Sequence, residues 1–301
     1  MNKIEFGDCR ETMRRWAAEG VKVQTCVTSP PYFGLRDYGH EGQIGLEQTP
    51  EEYIAAMVEV FRCVKDVLAD DGTLWLNIGD GWGSGKNYSG VKQKDLIGIP
   101  WMLAFALRSD GWYLRQDIIW NKPNPMNESV NDRCTKAHEY VFLMTKREKY
   151  FYDRESIREP IKPTTNGKAG VRRSGNSRTR NRDHWGVPHE PVNVTVEYDQ
   201  IKGANKRSVW TVATRPYRGA HFATFPPELI EPCILAGSRP GDIVLDPFMG
   251  SGTTAQVAIQ HGRQYLGCEL NPDYNSLQQE RIAKAVSQQK HNLQMSLELI
   301  K

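Results

Sequence analysis

Residues 242–269 constrain this chain more than any other stretch. Asp242-Ile243-Val244-Leu245-Asp246 is a short apolar run closed by an acid, and Pro247-Phe248-Met249-Gly250-Ser251-Gly252 follows as a turn. Thr253 to His261 then reads as a helix, and Gln264-Tyr265-Leu266-Gly267-Cys268-Glu269 as a second strand that again ends in an acid. A strand, a covering helix and a strand make a parallel pair, and ligands of such sheets gather beyond the carboxyl ends of the strands. Asp246 falls at one such end and Glu269 at the next. Gly250 and Gly252 lack a Cβ, so a ligand can approach the turn backbone closely.

The carboxylate of Glu269 can take both hydroxyls of a ribose, which is the nucleoside logic of a Rossmann unit. The turn is not Gly-x-Gly-x-x-Gly, and it is not a P-loop because no Gly-Lys-Ser/Thr follows. A nucleoside cofactor without phosphates fits better, and S-adenosylmethionine is one. A plain strand-to-helix turn is the competing reading, and the acid at 269 makes it the weaker of the two.

The same rhythm fills the first 153 residues. Val21 to Val27 is a buried strand that stops at Ser29-Pro30-Pro31. Residues 53–68 are apolar at helical spacing, and Thr73 to Asp80 is a strand. A helix near 100–108 and strands at 113–120 and 138–145 follow. Past the middle of the chain, a helix at 228–236 precedes the glycine turn, and a polar helix runs from Asn271 to about Gln289. Strands alternating with helices favour an α/β, Rossmann-like, mostly parallel sheet. Residues 154–220 break the rhythm with Arg, Asn, Ser, Gly and Pro. They hold 14 Lys+Arg against 6 Asp+Glu, a local net of +8 in a chain of net +3. The expected organisation is one domain made of 1–153 and 221–301, carrying a loop-rich basic insert at 154–220 that faces a polyanion.

Composition excludes several classes. No apolar run approaches the ~20 residues that span a bilayer, and Met1 to Glu5 shows no signal-peptide pattern. The six cysteines lie far apart, with neither Cys-x-x-Cys nor zinc spacing, so reduced thiols and no metal site are expected.

Pro30-Pro31 alone reads as a strand-ending turn, but with the strand before it, Tyr32 behind it and the glycine turn elsewhere, Ser29-Pro30-Pro31-Tyr32 is suited to gripping an amino group on a flat base. The exocyclic amine of cytosine or adenine is a poor nucleophile because its lone pair is delocalised into the ring. Two acceptors on its N–H groups localise that lone pair. The Ser29 hydroxyl oxygen can be one and the Pro30 carbonyl the other, with Pro31 fixing the carbonyl's direction. Tyr32 offers a face for stacking an extruded base. Phe33 and Tyr38 are either further base contacts or core aromatics. Pro232-Cys233 matches a ring-carbon methylation dipeptide, but its apolar helical surroundings make Cys233 a core residue.

These segments together resemble the beta class of DNA amino-methyltransferases: Ser-Pro-Pro-Tyr upstream, Asp-Pro-Phe-x-Gly-x-Gly-Thr-Thr downstream. Thr73 to Asp80, Ile118 to Pro123, and His138-Glu139 match further segments in family order. The resemblance covers both flanks and implies a methyltransferase fold with S-adenosylmethionine as cofactor. It implies cofactor contacts from Asp8, Thr28, His221, Phe222, Thr224, Asp246, Pro247, Phe248, Gly250, Gly252, Thr253, Thr254, Glu269 and Asn271. It makes the insert the target-recognition element for double-stranded DNA, with Arg172, Arg173, Arg178, Arg180, Arg182, Lys206 and Arg207 as candidate phosphate contacts and His184 and Trp185 beside them. A homodimer, a cognate restriction enzyme and a cytoplasmic location, bacterial or phage-encoded, are further expectations, and no membrane partner is expected.

Serine at the first motif position resembles enzymes acting on N4 of cytosine, whereas Asp or Asn is more typical for N6 of adenine. Methylation of RNA or of a protein amide, and an inactive DNA-binding module, are the alternative functions. The insert argues against a protein substrate, and the intact motifs argue against inactivity.

Overall fold

A computed structural model describes residues 1–37, 39–83, 91–160, 203–215 and 225–298. The chain forms two compact units, Met1–Asp153 with Arg207–Lys301, and Arg154–Lys206. The first holds an eight-stranded sheet in the order β1-β8-β7-β2-β3-β5-β4-β6. Its strands are β1 (Lys3–Phe6), β2 (Val23–Thr28), β3 (Leu68–Ile78), β4 (Tyr113–Asn121), β5 (His138–Thr145), β6 (Val209–Thr211), β7 (Ile243–Asp246) and β8 (Gln264–Glu269). All run parallel except β5, which is antiparallel to both β3 and β4. The sheet is thus mostly parallel, as the alternation implies. β5 departs from the rule because no crossover helix separates it from β4. The short strands β1 and β6 carry no usable sequence signal and pair at the two edges.

Among the described residues six helices accompany the sheet: α1 (Cys9–Ala18), α2 (Pro50–Val67), α3 (Ile99–Ser109), α4 (Pro227–Gly237), α5 (Thr253–Gln260) and α6 (Asn275–Glu298). α2 shows why they form where they do. The Thr49 hydroxyl caps it by accepting from the Glu52 backbone N–H at 3.1 Å, and Pro50 occupies its first turn. Tyr53, Met57, Val60, Phe61, Val64 and Val67 recur at three- and four-residue spacing and are buried. They join Trp16, Leu74, Leu76 and Phe142 in the principal core, with α1 and α3 alongside.

Strand alternation puts Thr25, Thr73 and Trp75 on the other face, under α4. Thr25 and Thr73 share a hydrogen bond of 2.9 Å, and Trp75 Nε1 donates to Thr73 Oγ1 at 3.1 Å. Gly237, at the end of α4, sits directly on this polar cluster. A Cβ there would lie 2.7 Å from both threonine hydroxyls and 2.9 Å from the indole nitrogen.

In the second unit the described residues include a 3₁₀ turn at Glu155–Ile157 and a bridge between Glu159 and Ala204. Arg158 folds back on Glu155 at 2.7 Å.

Gly237→Ala is expected to destabilise the chain by about 1–3 kcal/mol, the usual cost of overpacking. Denaturant unfolding checks this, with the midpoint falling at an unchanged slope.

Candidate active site

The carboxyl ends of β1, β8, β7, β2, β3 and β4 meet along one edge of the sheet. At its middle, β2 and β7 are neighbours although more than 200 residues separate them in sequence. The Asp246 carboxylate closes this junction. Its Oδ1 accepts from Thr28 Oγ1 at 2.6 Å and from the Phe248 N–H at 3.0 Å, and its Oδ2 accepts from Thr254 Oγ1 at 2.6 Å. The side chain is 1% exposed. Burial pushes its carboxyl up to about 6 against the hydrogen bonds from Thr254 and Thr28.

A cavity of about 780 Å³ opens above the junction. Gly7 and Asp8, Ser29 to Tyr32, Asn77, Lys122, Glu139, the 247–251 turn, Thr253, Glu269 and Asn271 all line it. Thr28, Asp246, Gly252 and Thr254 do not; they stand behind the wall and fix the turn and the start of α5.

One side of the cavity is walled by Glu269, Asp8 and the 247–251 turn. Glu269 is 9% exposed, and its two oxygens accept from the Gly250 N–H at 2.7 Å and the Asn271 N–H at 2.9 Å. Burial is the main cause of its raised carboxyl pKa. Each oxygen keeps a lone-pair direction for a hydroxyl. Asp8 caps α1 and is held by Arg10 at 2.6 Å, which lowers its carboxyl. Ser251 Oγ is buried at the wall with no hydrogen-bond partner among the described residues. An orphaned buried hydroxyl beside a backbone-anchored carboxylate fits a ligand rich in hydroxyl and charged polar groups, as S-adenosylmethionine is. Gly250 has φ of 52° and Gly252 of 87°, the left-handed values that the turn requires.

On the other side lie Ser29, Pro30, Pro31 and Tyr32, with Gly79 against the Tyr32 ring. A Cβ at Gly79 would come within 2.6 Å of that ring. The Tyr32 hydroxyl donates to Glu139 Oε2 at 2.7 Å, and burial pushes its phenol well up, with the Glu139 charge adding to the shift. Asn77 Nδ2 donates to the same oxygen at 3.1 Å, and Lys122 pairs with the other. Sequence reasoning matched the segments holding Asn77, Lys122 and Glu139 but gave those residues no role. Their signal was local: a lone amide within Leu74 to Ile78, a lysine just past Ile118 to Trp120, and an acid at the start of the otherwise apolar run Tyr140 to Met144.

Phe33 is 8% exposed and packs on Tyr53 with ring centroids 5.6 Å apart, so it belongs to the core. Cys233 is likewise buried within α4. Tyr38, His221, Phe222, Thr224, Arg172, Arg173, Arg178, Arg180, Arg182, His184 and Trp185 lie outside the described residues. Lys206 lies 3.6 Å from Glu159 within the second unit, and Arg207 begins the returning segment of the first. Arg36, Lys136 and Arg215 add positive charge to the cavity lining. Among the described residues no cluster could hold a metal ion, and no helix is long and apolar enough to cross a membrane.

Asp246→Ala leaves two buried hydroxyls and one N–H without their acceptor and is expected to cost at least about 3 kcal/mol. Asp246→Asn should cost less, because it keeps an acceptor. The folded chain holds the Asp246 proton more tightly than the unfolded chain does, with about 6 against an ordinary 3.8. Stability relative to Asp246→Asn is therefore expected to fall as pH rises between those values and to level off above them. Unfolding titrations across that range measure it.

A family model described as DNA methylase matches residues 23–280. The Type II methyltransferase M.XycI of Xanthomonas campestris pv. cyanopsidis is 48% identical over 92% of this chain and 86% of its own length. M.Cfr9I of Citrobacter freundii, also a Type II methyltransferase, is 47% identical with the same coverage. Among solved structures, TTHA0409 of Thermus thermophilus with S-adenosyl-L-methionine bound superposes with a TM-score of 0.59 at 26% identity, covering 95% of each chain.

Proposed function

The chain belongs to the family of N6/N4 DNA methylases, and from that premise we propose that it transfers a methyl group from S-adenosylmethionine to the exocyclic amine of a base extruded from double-stranded DNA, N4 of cytosine. One observation carries the reading. Ser29 to Tyr32 and the Gly250–Glu269 pair open onto the same cavity, although the chain separates them by more than two hundred residues.

S-adenosylmethionine supplies a methyl group on a sulfonium, ready for in-line displacement. The protein's part is to hold and to orient. Glu269 takes the ribose hydroxyls, Ser251 and the Gly250 turn approach the rest of the cofactor, and Asp8 and Asn271 flank it. Pro247, Phe248 and Thr253 complete that wall. The Ser29 oxygen and the Pro30 carbonyl accept the two amine N–H groups and localise the lone pair, and Tyr32 stacks on the base. No residue need act as a strong base, because the methylated amine loses its extra proton readily to water.

Thr28, Asp246, Gly252 and Thr254 support this surface from behind. Residues 154–206, the second compact unit, act as the target-recognition insert, and the positive charge of Arg36 and Arg215 on the cavity lining favours backbone phosphates. Serine at position 29 favours cytosine over adenine. The Type II relatives support a cognate restriction enzyme as partner, and the proposal takes the protein to be a cytoplasmic homodimer.

The test is incubation with unmethylated genomic DNA and S-adenosylmethionine, followed by nucleoside mass spectrometry. N4-methylcytosine is the expected product. Ser29→Ala should lower kcat by about 10²–10³ while leaving cofactor binding intact, as loss of one preorganised contact does. N6-methyladenine would replace the base assignment. No methylated nucleoside despite cofactor binding would overturn the DNA reading in favour of RNA or protein.

A further inference from the structure

We propose that Glu139 is a positioning residue that sets the direction of a hydrogen-bond chain through Tyr32 and so keeps the Ser29 oxygen an acceptor toward the target amine. The proposal rests on the methyltransferase reading. It begins from topology: β5 runs against its neighbours, so its first residues reach the edge where β3 and β4 end. Glu139 is the second residue of that strand and stands opposite Trp120.

A carboxylate can only accept, and this one is surrounded by donors. Lys122 pairs with Oε1, while Tyr32 Oη at 2.7 Å and Asn77 Nδ2 at 3.1 Å both approach Oε2. The orientation of Asn77 is settled by its second partner, because Nδ2 also donates to the Tyr140 carbonyl at 3.1 Å. Asn77 Oδ1 lies 3.4 Å from the Tyr32 hydroxyl and competes poorly for the phenol's single proton. That proton therefore points at Glu139.

The phenol oxygen then turns its lone pairs to Ser29, whose Oγ is 3.4 Å away and donates to it. The separation is long, as catalytic hydrogen bonds often are before substrate arrives. When this contact shortens on substrate binding, Tyr32 takes up the Ser29 proton and Ser29 presents lone pairs to the amine. Reversing the phenol proton would occupy one of those lone pairs and aim the serine proton at the base.

Glu139→Gln breaks the one-way character, because an amide can donate to the phenol as well as accept from it. Its kcat on DNA is expected to fall about ten- to a hundredfold, the usual range for a residue acting through its neighbour, with KM for DNA and the Kd of S-adenosylhomocysteine unchanged. In a Tyr32→Phe background the same substitution should cost nothing further, since the middle link is already gone. Wild-type kcat in Glu139→Gln, or an equal loss in both backgrounds, would overturn the proposal. If Glu139→Gln does not fold, Tyr32→Phe decides alone. It keeps the stacking ring and removes the hydroxyl, so an unchanged kcat would contradict the chain. Failure of the wild type to methylate DNA would count against the function, whereas an active wild type with additive losses counts against Glu139 alone.

Discussion

The Asp246 carboxylate is the constraint on which the rest of this molecule depends. It ties the end of β2 to the end of β7 and to the first turn of α5, joining segments 218 residues apart through a hydrogen bond of 2.6 Å. A buried carboxylate is costly, and its carboxyl pKa is raised accordingly. What offsets that cost is a complete set of donors from three elements. The arrangement puts Ser29, one residue past Thr28, on the same edge as the glycine turn. Without the junction the two motifs have no reason to face one another.

Much of the site was legible in the sequence because its residues break local patterns in ways chemistry explains. Two prolines after an apolar strand, or two glycines between a strand and a helix, serve no regular element. An acid ending a buried strand, as at 246 and 269, calls for a partner or a ligand. The structure divides these two: Asp246 is used up by its own chain, whereas Glu269 lines the cavity. Sequence cannot draw that distinction, because it depends on which hydroxyls happen to lie within hydrogen-bonding reach.

What escaped the sequence was set by pairing rather than pattern. β1 and β6 are too short for alternation to show, and β5 reads as one more apolar strand whatever its direction. Yet the reversal of β5 is what brings Glu139 beside Tyr32, Asn77 and Lys122. Those four residues come from four separate segments of chain, and no spacing rule links them. Phe33, an aromatic next to the motif, turned out to be core because its ring meets Tyr53 on α2.

The central claim is that one cavity holds the cofactor against Glu269 and the base amine against Ser29. A crystal structure with S-adenosylhomocysteine and a DNA duplex tests it most directly. The account expects the ribose hydroxyls on the Glu269 carboxylate and the sulfur directed at an extruded cytosine whose amine meets Ser29 and Pro30. Cofactor bound away from the Gly250 turn, or a base seated beyond reach of Ser29, would contradict it.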